Sequence, residues 1–223
     1  STWAEMNLSK QLLERDLGNR VRSFRSGHLC VNSDFYQVME DAGYEFSSCY
    51  TAGDLLSEFP FFGRIGNSWD GRQSTVLEMP LHISDVNNRN PVNNDNWESH
   101  PCVDYWEAAM HKLRGNYASA ILLIHPNRDW KMTLQKRLWD RLDHSEVGYY
   151  NFEDYGDFWK KRLATDFSYI YDASESRLTI LTDIKQANRY AIQSGGSGRQ
   201  LWKVCRRFTR SRQTSGFTAR GRR

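Results

Sequence analysis

Ala118-Ser119-Ala120-Ile121-Leu122-Leu123-Ile124, closed by His125-Pro126, is the stretch whose reading decides the fold class. From Ala120 to Ile124 it is apolar without alternation, the pattern of a strand covered on both faces, and parallel sheets provide such cover. Pro126 lacks the N–H that a central strand must donate, so the strand stops there. Upstream, Val103, Trp106, Ala109, Met110 and Leu113 recur at helical spacing between Cys102 and Leu113, and Gly115 ends that helix. Downstream, Thr133 to Leu142 and Asp154 to Arg162 are amphipathic helices.

The same alternation of helix and strand extends toward the N-terminus. Leu8, Leu12 and Leu13 predict a helix over residues 7–18 that stops at Gly18. Val21 to Arg25 reads as a strand. Asn32 and Ser33 can cap a second helix, with Phe35, Val38, Met39 and Ala42 on its apolar side and Gly43 at its end. Tyr44 to Cys49 and Val76 to Met79 are further strands. Residues 50–75 read as one long loop, and the Asn-rich stretch from Ser84 to Asn96 as another. Four alternations of this kind predict an α/β fold with parallel strands.

After Arg162 the pattern changes. Phe167–Tyr171 and Leu178–Leu181 flank the polar run Asp172 to Ser176 and predict a β-hairpin. Ser194-Gly195-Gly196-Ser197-Gly198 reads as a flexible hinge. The predicted organisation is therefore an α/β body over 1–162, a hairpin region over 163–193 and a flexible basic tail over 194–223. From Arg199 onward there are nine Lys/Arg and no Asp/Glu, which leaves 21 basic against 27 acidic side chains, a net of −6, in residues 1–198. The body is acidic and the tail is basic.

The longest purely apolar run is far below the roughly 20 residues needed to cross a bilayer, so no membrane span is expected. No signal peptide is legible, and the absence of an initiator Met suggests a processed or truncated chain. The four cysteines, Cys30, Cys49, Cys102 and Cys205, have no CxxC or zinc-finger spacing. They read as small core residues and fit the reduced thiols of a cytoplasmic protein without deciding the compartment.

Several segments, in order, resemble the polysaccharide deacetylases of carbohydrate esterase family 4. Val21-Arg22-Ser23-Phe24-Arg25-Ser26-Gly27-His28 resembles the family's Arg-containing strand end. Ala42-Gly43-Tyr44-Glu45-Phe46-Ser47-Ser48-Cys49 resembles its Gly-Tyr pair and Ser-Ser turn. Val76-Leu77-Glu78-Met79-Pro80 resembles its Glu-x-Pro strand, and Ile121-Leu122-Leu123-Ile124-His125-Pro126 the late strand that delivers a His. The resemblance covers roughly residues 7–162. It implies an irregular (β/α) barrel with functional residues at the C-terminal ends of its strands, here in incomplete form. Gly27 stands where the family has Pro, and His28 where it has an aromatic. Neither the Asp-Asp motif nor the His-x-x-x-His motif that supplies the family's base and metal ligands occurs, and both would precede Ser1.

The activity this resemblance implies is metal-dependent removal of N-acetyl or O-acetyl groups from a polysaccharide. A zinc-like divalent metal is expected for a complete family member, with no cofactor held by this chain and a carbohydrate polymer or oligosaccharide as partner. His125 is the candidate proton donor, since an imidazole titrates near neutrality. Arg25 would orient a base carboxylate through a fork-like pair. Trp69 and Tyr50, with Phe62, are candidates for an apolar wall against a sugar ring. The plainer readings are a strand-end His on a backbone carbonyl, a structural Arg salt bridge and aromatic loop anchors. Two other functions remain open: a noncatalytic glycan-binding protein, and nucleic-acid binding through the tail, where Trp202, Phe208 and Phe217 lie among the nine cations.

Overall fold

Phe46 and Leu77, both fully buried, lie side by side in parallel register, with Ser47 opposite Glu78. A computed structural model describes residues 2–55, 57–68, 70–86, 92–142, 144, 147–172, 174, 177–182, 203–207 and 215–220. The chain divides into two compact units, Ser1–Trp159 and Lys160–Arg223. In chain order the elements are α1 (Thr2–Leu17), β1 (Ser23–Phe24), α2 (Phe35–Asp41), β2 (Phe46–Ser47), α3 (Ala52–Leu55), β3 (Phe61–Arg64), β4 (Gln73–Glu78), β5 (Ile83–Ser84), α4 (Cys102–Gly115), β6 (Leu122–Leu123), α5 (Asp129–Arg141), α6 (Phe152–Leu163), β7 (Phe167–Asp172), β8 (Arg177–Thr182), β9 (Lys203–Arg207) and β10 (Ser215–Arg220).

The first unit is a mixed α/β structure. Its four-stranded sheet has the order β1-β2-β4-β3, with β1, β2 and β4 parallel and β3 antiparallel to β4. The chain continues from β4 in extended form. Met79 donates to the Ser47 carbonyl at 2.8 Å, Leu81 to that of Tyr50 at 2.9 Å, Ile83 to that of Ile121 at 3.2 Å and Asp85 to that of Leu123 at 3.1 Å. Residues 73–85 are thus parallel first to β2 and then to β6. Among the described residues these strands do not close into a barrel.

Three apolar clusters hold the layers. Met6, Phe35, Tyr36, Met39, Tyr44 and Val76 join α1 and α2 to the sheet. Ile83, Cys102, Val103, Trp106, Leu134 and Leu138 join β5 to α4 and α5. Phe46, Leu77 and Met79 pack against Trp159 of α6. Each such buried side chain contributes about 1.5–3 kcal/mol. Gly156 lets α6 approach, because a Cβ there would lie 2.4 Å from the Phe46 ring. Arg22, at the start of β1, donates to Glu45 at 2.9 Å and to Asp157 at 2.7 Å, tying α6 to the N-terminal ends of the strands.

The structure corrects four expectations. In α1, Leu8, Leu12 and Leu13 are exposed, whereas Met6 and Lys10 face the core. Polar ties choose that face: the Tyr44 hydroxyl donates to the Met6 carbonyl at 3.2 Å, and Glu14 accepts the Val21 N–H at 2.9 Å while pairing with Lys10. Residues 50–75 are not one loop, since Phe61 and Phe62 form β3 against Glu78 and Leu77. The apolar run at 118–124 is half-buried, with only Leu122–Leu123 in a strand, because β6 has one strand neighbour among the described residues.

The fourth correction concerns the tail, whose described residues are strands rather than flexible chain. In the second unit β7-β8-β10-β9 form an antiparallel sheet, β10 pairing with both β8 and β9. The predicted hairpin is present as β7 and β8, with Tyr171 opposite Leu178. The proposed hinge at 194–198 lies outside the described residues.

Candidate active site at the C-terminal ends of the parallel strands

Polar or ionisable side chains follow the ends of four of these parallel strands. Arg25 follows β1, Ser48 follows β2, Asp85 follows β5, and His125 lies two residues beyond β6. Because 73–85 runs parallel to both β2 and β6, these residues leave their strands in the same direction. Arg25 and His125, the two candidates for chemistry, are therefore both strand-end residues of one parallel set.

The Arg25 end is built on a turn. Its Nε donates to the Ser48 carbonyl at 3.0 Å and its Nη2 to the Ser48 hydroxyl at 2.9 Å. The guanidinium is half-buried. Burial holds its pKa below the ordinary arginine value, against the opposing influence of Cys49 and Glu78. No carboxylate lies within ion-pair distance of it among the described residues, so the structural salt bridge anticipated as its plainer role is not formed there.

Glu78 shapes that turn from beneath. Its side chain is fully buried at the end of β4, where Oε1 accepts the N–H groups of Cys49 at 2.8 Å and Tyr50 at 3.1 Å and Oε2 accepts the Tyr36 hydroxyl at 3.1 Å. Those two N–H groups have just left the β2–β4 ladder and would otherwise lack partners. Burial raises the Glu78 pKa, with the bonds from Cys49, Tyr50 and Tyr36 opposing. Burial together with the Glu78 charge pushes the Tyr36 phenol well above its ordinary value, so it serves as a donor. Cys49 is a buried free thiol, also raised by burial, and its sulfur accepts the Ser26 N–H at 3.1 Å.

The His125 end is built on a buried acid. Asp85 Oδ1 lies 2.6 Å from His125 Nδ1, and its Oδ2 accepts the His125 backbone N–H at 3.0 Å. Lys131 Nζ stands 2.9 Å from the same Oδ2. The Asp85 side chain is 0% exposed, while that of His125 is 46% exposed, so the acid is sealed and the imidazole faces solvent. Burial alone would raise the Asp85 carboxyl. Lys131 and the two groups of His125 outweigh it and hold the pKa below the ordinary value. Nδ1 points to the carboxylate, which leaves Nε2 as the outward nitrogen. His125 thus hydrogen-bonds a carboxylate rather than the backbone carbonyl of the plainer reading.

Beside this acid lies a pocket of about 320 Å³. Its wall includes Asp85, Val86, Val92, His100, Tyr105 and Trp106. His82, at its inner edge, is locked: Nδ1 accepts the Ile121 N–H at 3.2 Å, so Nε2 donates to the Glu58 carbonyl at 3.0 Å. Burial lowers the His82 pKa, with the Glu58 carbonyl and charge opposing.

Tyr50 is half-buried and stacks on Tyr36 with centroids 6.4 Å apart, and Phe62 packs against the cluster beneath α6. Trp69 lies outside the described residues. His28 is an exposed turn residue with φ 54. Cys102 is buried like Cys49, whereas Cys30 is exposed. Asp85 and Lys131 were not legible as site residues, the first because the Asn-rich segment masks the end of a two-residue strand. The alternation of apolar Leu81 and Ile83 with His82 and Ser84, continued by Asp85, is the signal that locates it.

Among the described residues no group of three His, Cys, Asp or Glu is placed to hold a metal ion. No helix among them is long and apolar enough to cross a membrane. No family model, curated protein or solved structure matches the chain.

Proposed function

We propose that this chain carries the proton-donor side of a hydrolase site acting on acyl groups of a polysaccharide, within an irregular (β/α) barrel. The observation that carries this reading is the Asp85–His125 pair. A sealed carboxylate holds the backbone N–H and Nδ1 of a half-exposed imidazole, and Nε2 is turned to solvent. The parallel pairings β1–β2, β2–β4 and β5–β6, with candidate groups at their C-terminal ends, support the barrel.

In this reading the protonated ring of His125 delivers the Nε2 proton to the departing amine or alcohol oxygen of the sugar, and Asp85 balances the imidazolium and fixes which nitrogen faces outward. Arg25 presents its remaining N–H groups, held in plane by Ser48, to a carboxylate or to substrate oxygen.

The test is release of acetate from N-acetylated chitooligosaccharides and O-acetylated xylan fragments by the protein. The His125→Ala variant is expected to lower turnover by about 10²–10⁴-fold. Turnover unaffected by His125→Ala, or no binding of any acetylated glycan, overturns the proposal. Binding that maps to Arg25 and His125 without hydrolysis replaces it with the noncatalytic glycan-binding reading.

A further inference from the structure

Lys131 occupies the third residue of α5, where the positive end of the helix dipole disfavours a cation. Its side chain is nevertheless only 12% exposed, with Nζ 2.9 Å from Asp85 Oδ2 and 5.5 Å from the centroid of the Trp130 ring. A lysine confined there, against local helix preference, is explained by the acid it meets. Among the described residues the carboxylate of Asp85 then has three partners arranged by oxygen. Oδ1 takes the ring of His125, and Oδ2 takes the His125 backbone N–H and the Lys131 ammonium.

We propose that Lys131 is a positioning residue for His125, acting through Asp85: by occupying Oδ2 it fixes the carboxylate plane so that Oδ1 faces Nδ1. The inference rests on the proposed role of His125, but its test does not depend on turnover.

Imidazole nitrogen NMR on the whole chain reads the tautomer of His125 in its neutral form. The native protein is expected to show the Nδ1–H tautomer, bonded to Asp85. Lys131→Met is expected to lose that preference and move toward the Nε2–H form that free imidazole side chains favour, while Lys131→Arg restores it. If Lys131→Met does not fold, Lys131→Gln serves, since its amide can bond Oδ2 without the charge, and a native tautomer in Gln assigns the effect to the bond rather than the cation. Retention of a full Nδ1–H signature in both Met and Gln variants overturns the proposal. Asp85→Asn separates this from the parent reading: if that change leaves the tautomer untouched, the Asp85–His125 pair itself fails, whatever Lys131 does.

Discussion

Two buried carboxylates end neighbouring stretches of the same extended run, and they are kept in place by opposite means. Glu78 is surrounded by dipoles: two backbone N–H groups and a phenol. Asp85 is surrounded by ionisable partners, an ammonium and an imidazole, together with one N–H. Dipoles do not overcome the cost of burying the charge, so the Glu78 pKa is raised. The charged partners do overcome it, so the Asp85 pKa is lowered. Glu78 is accordingly built to organise backbone, and Asp85 to remain ionised beside the His125 ring.

The largest effect that sharpens this contrast is expected from Asp85→Asn. It leaves the enclosed Lys131 ammonium without an anion and should cost about 3–5 kcal/mol in denaturant unfolding. Glu78→Gln should cost far less, below about 1.5 kcal/mol, because the amide oxygen still accepts the Cys49 and Tyr50 N–H groups. An equal loss in the two variants would break the comparison. Tyr36→Phe, which removes only one donor from Glu78, should cost about 1 kcal/mol.

The pH dependence separates the two acids by sign. The Asp85 pKa is depressed in the fold, so its contribution is complete above the unfolded value of about 3.9 and is lost as pH falls toward the folded one. The gap in stability between the native chain and Asp85→Asn should therefore narrow in acid. The Glu78 pKa is raised, so the folded state holds that proton longer and stability falls as pH rises above about 4.3. Unfolding curves of Glu78→Gln should lack that fall.

Strand ends could be read from the chain, and what could not has physical causes. Arg25 and His125 could be placed at strand ends because each closes a predicted strand beside a turn or a Pro, where chain direction decides which end a side chain reaches. Glu78 lies between Leu77 and Met79 and is buried with them. Asp85 was hidden, since a strand of two residues carries almost no periodicity. Lys131 resembled any solvated helix lysine, because nothing local in its helix reveals a carboxylate supplied from a distant segment. The face of α1 was misread for a related reason: Glu14 and Tyr44 fix the helix by polar contacts that hydrophobic spacing does not record.

The doubly engaged ring of His82 acts as a pin across the seam between β5 and β6. Protonation would turn the acceptor nitrogen facing the Ile121 N–H into a second donor, setting hydrogen against hydrogen at the place where the two strands first meet. The ring is held neutral by burial, so this contribution is present above its unfolded value of about 6.5 and fades as the medium becomes more acidic. Mild acid should thus unzip the strand bearing His125 from the strand bearing Asp85, and hydrogen exchange at Ile121, Ile83 and Asp85 should quicken together before the Phe46–Leu77 pairing yields.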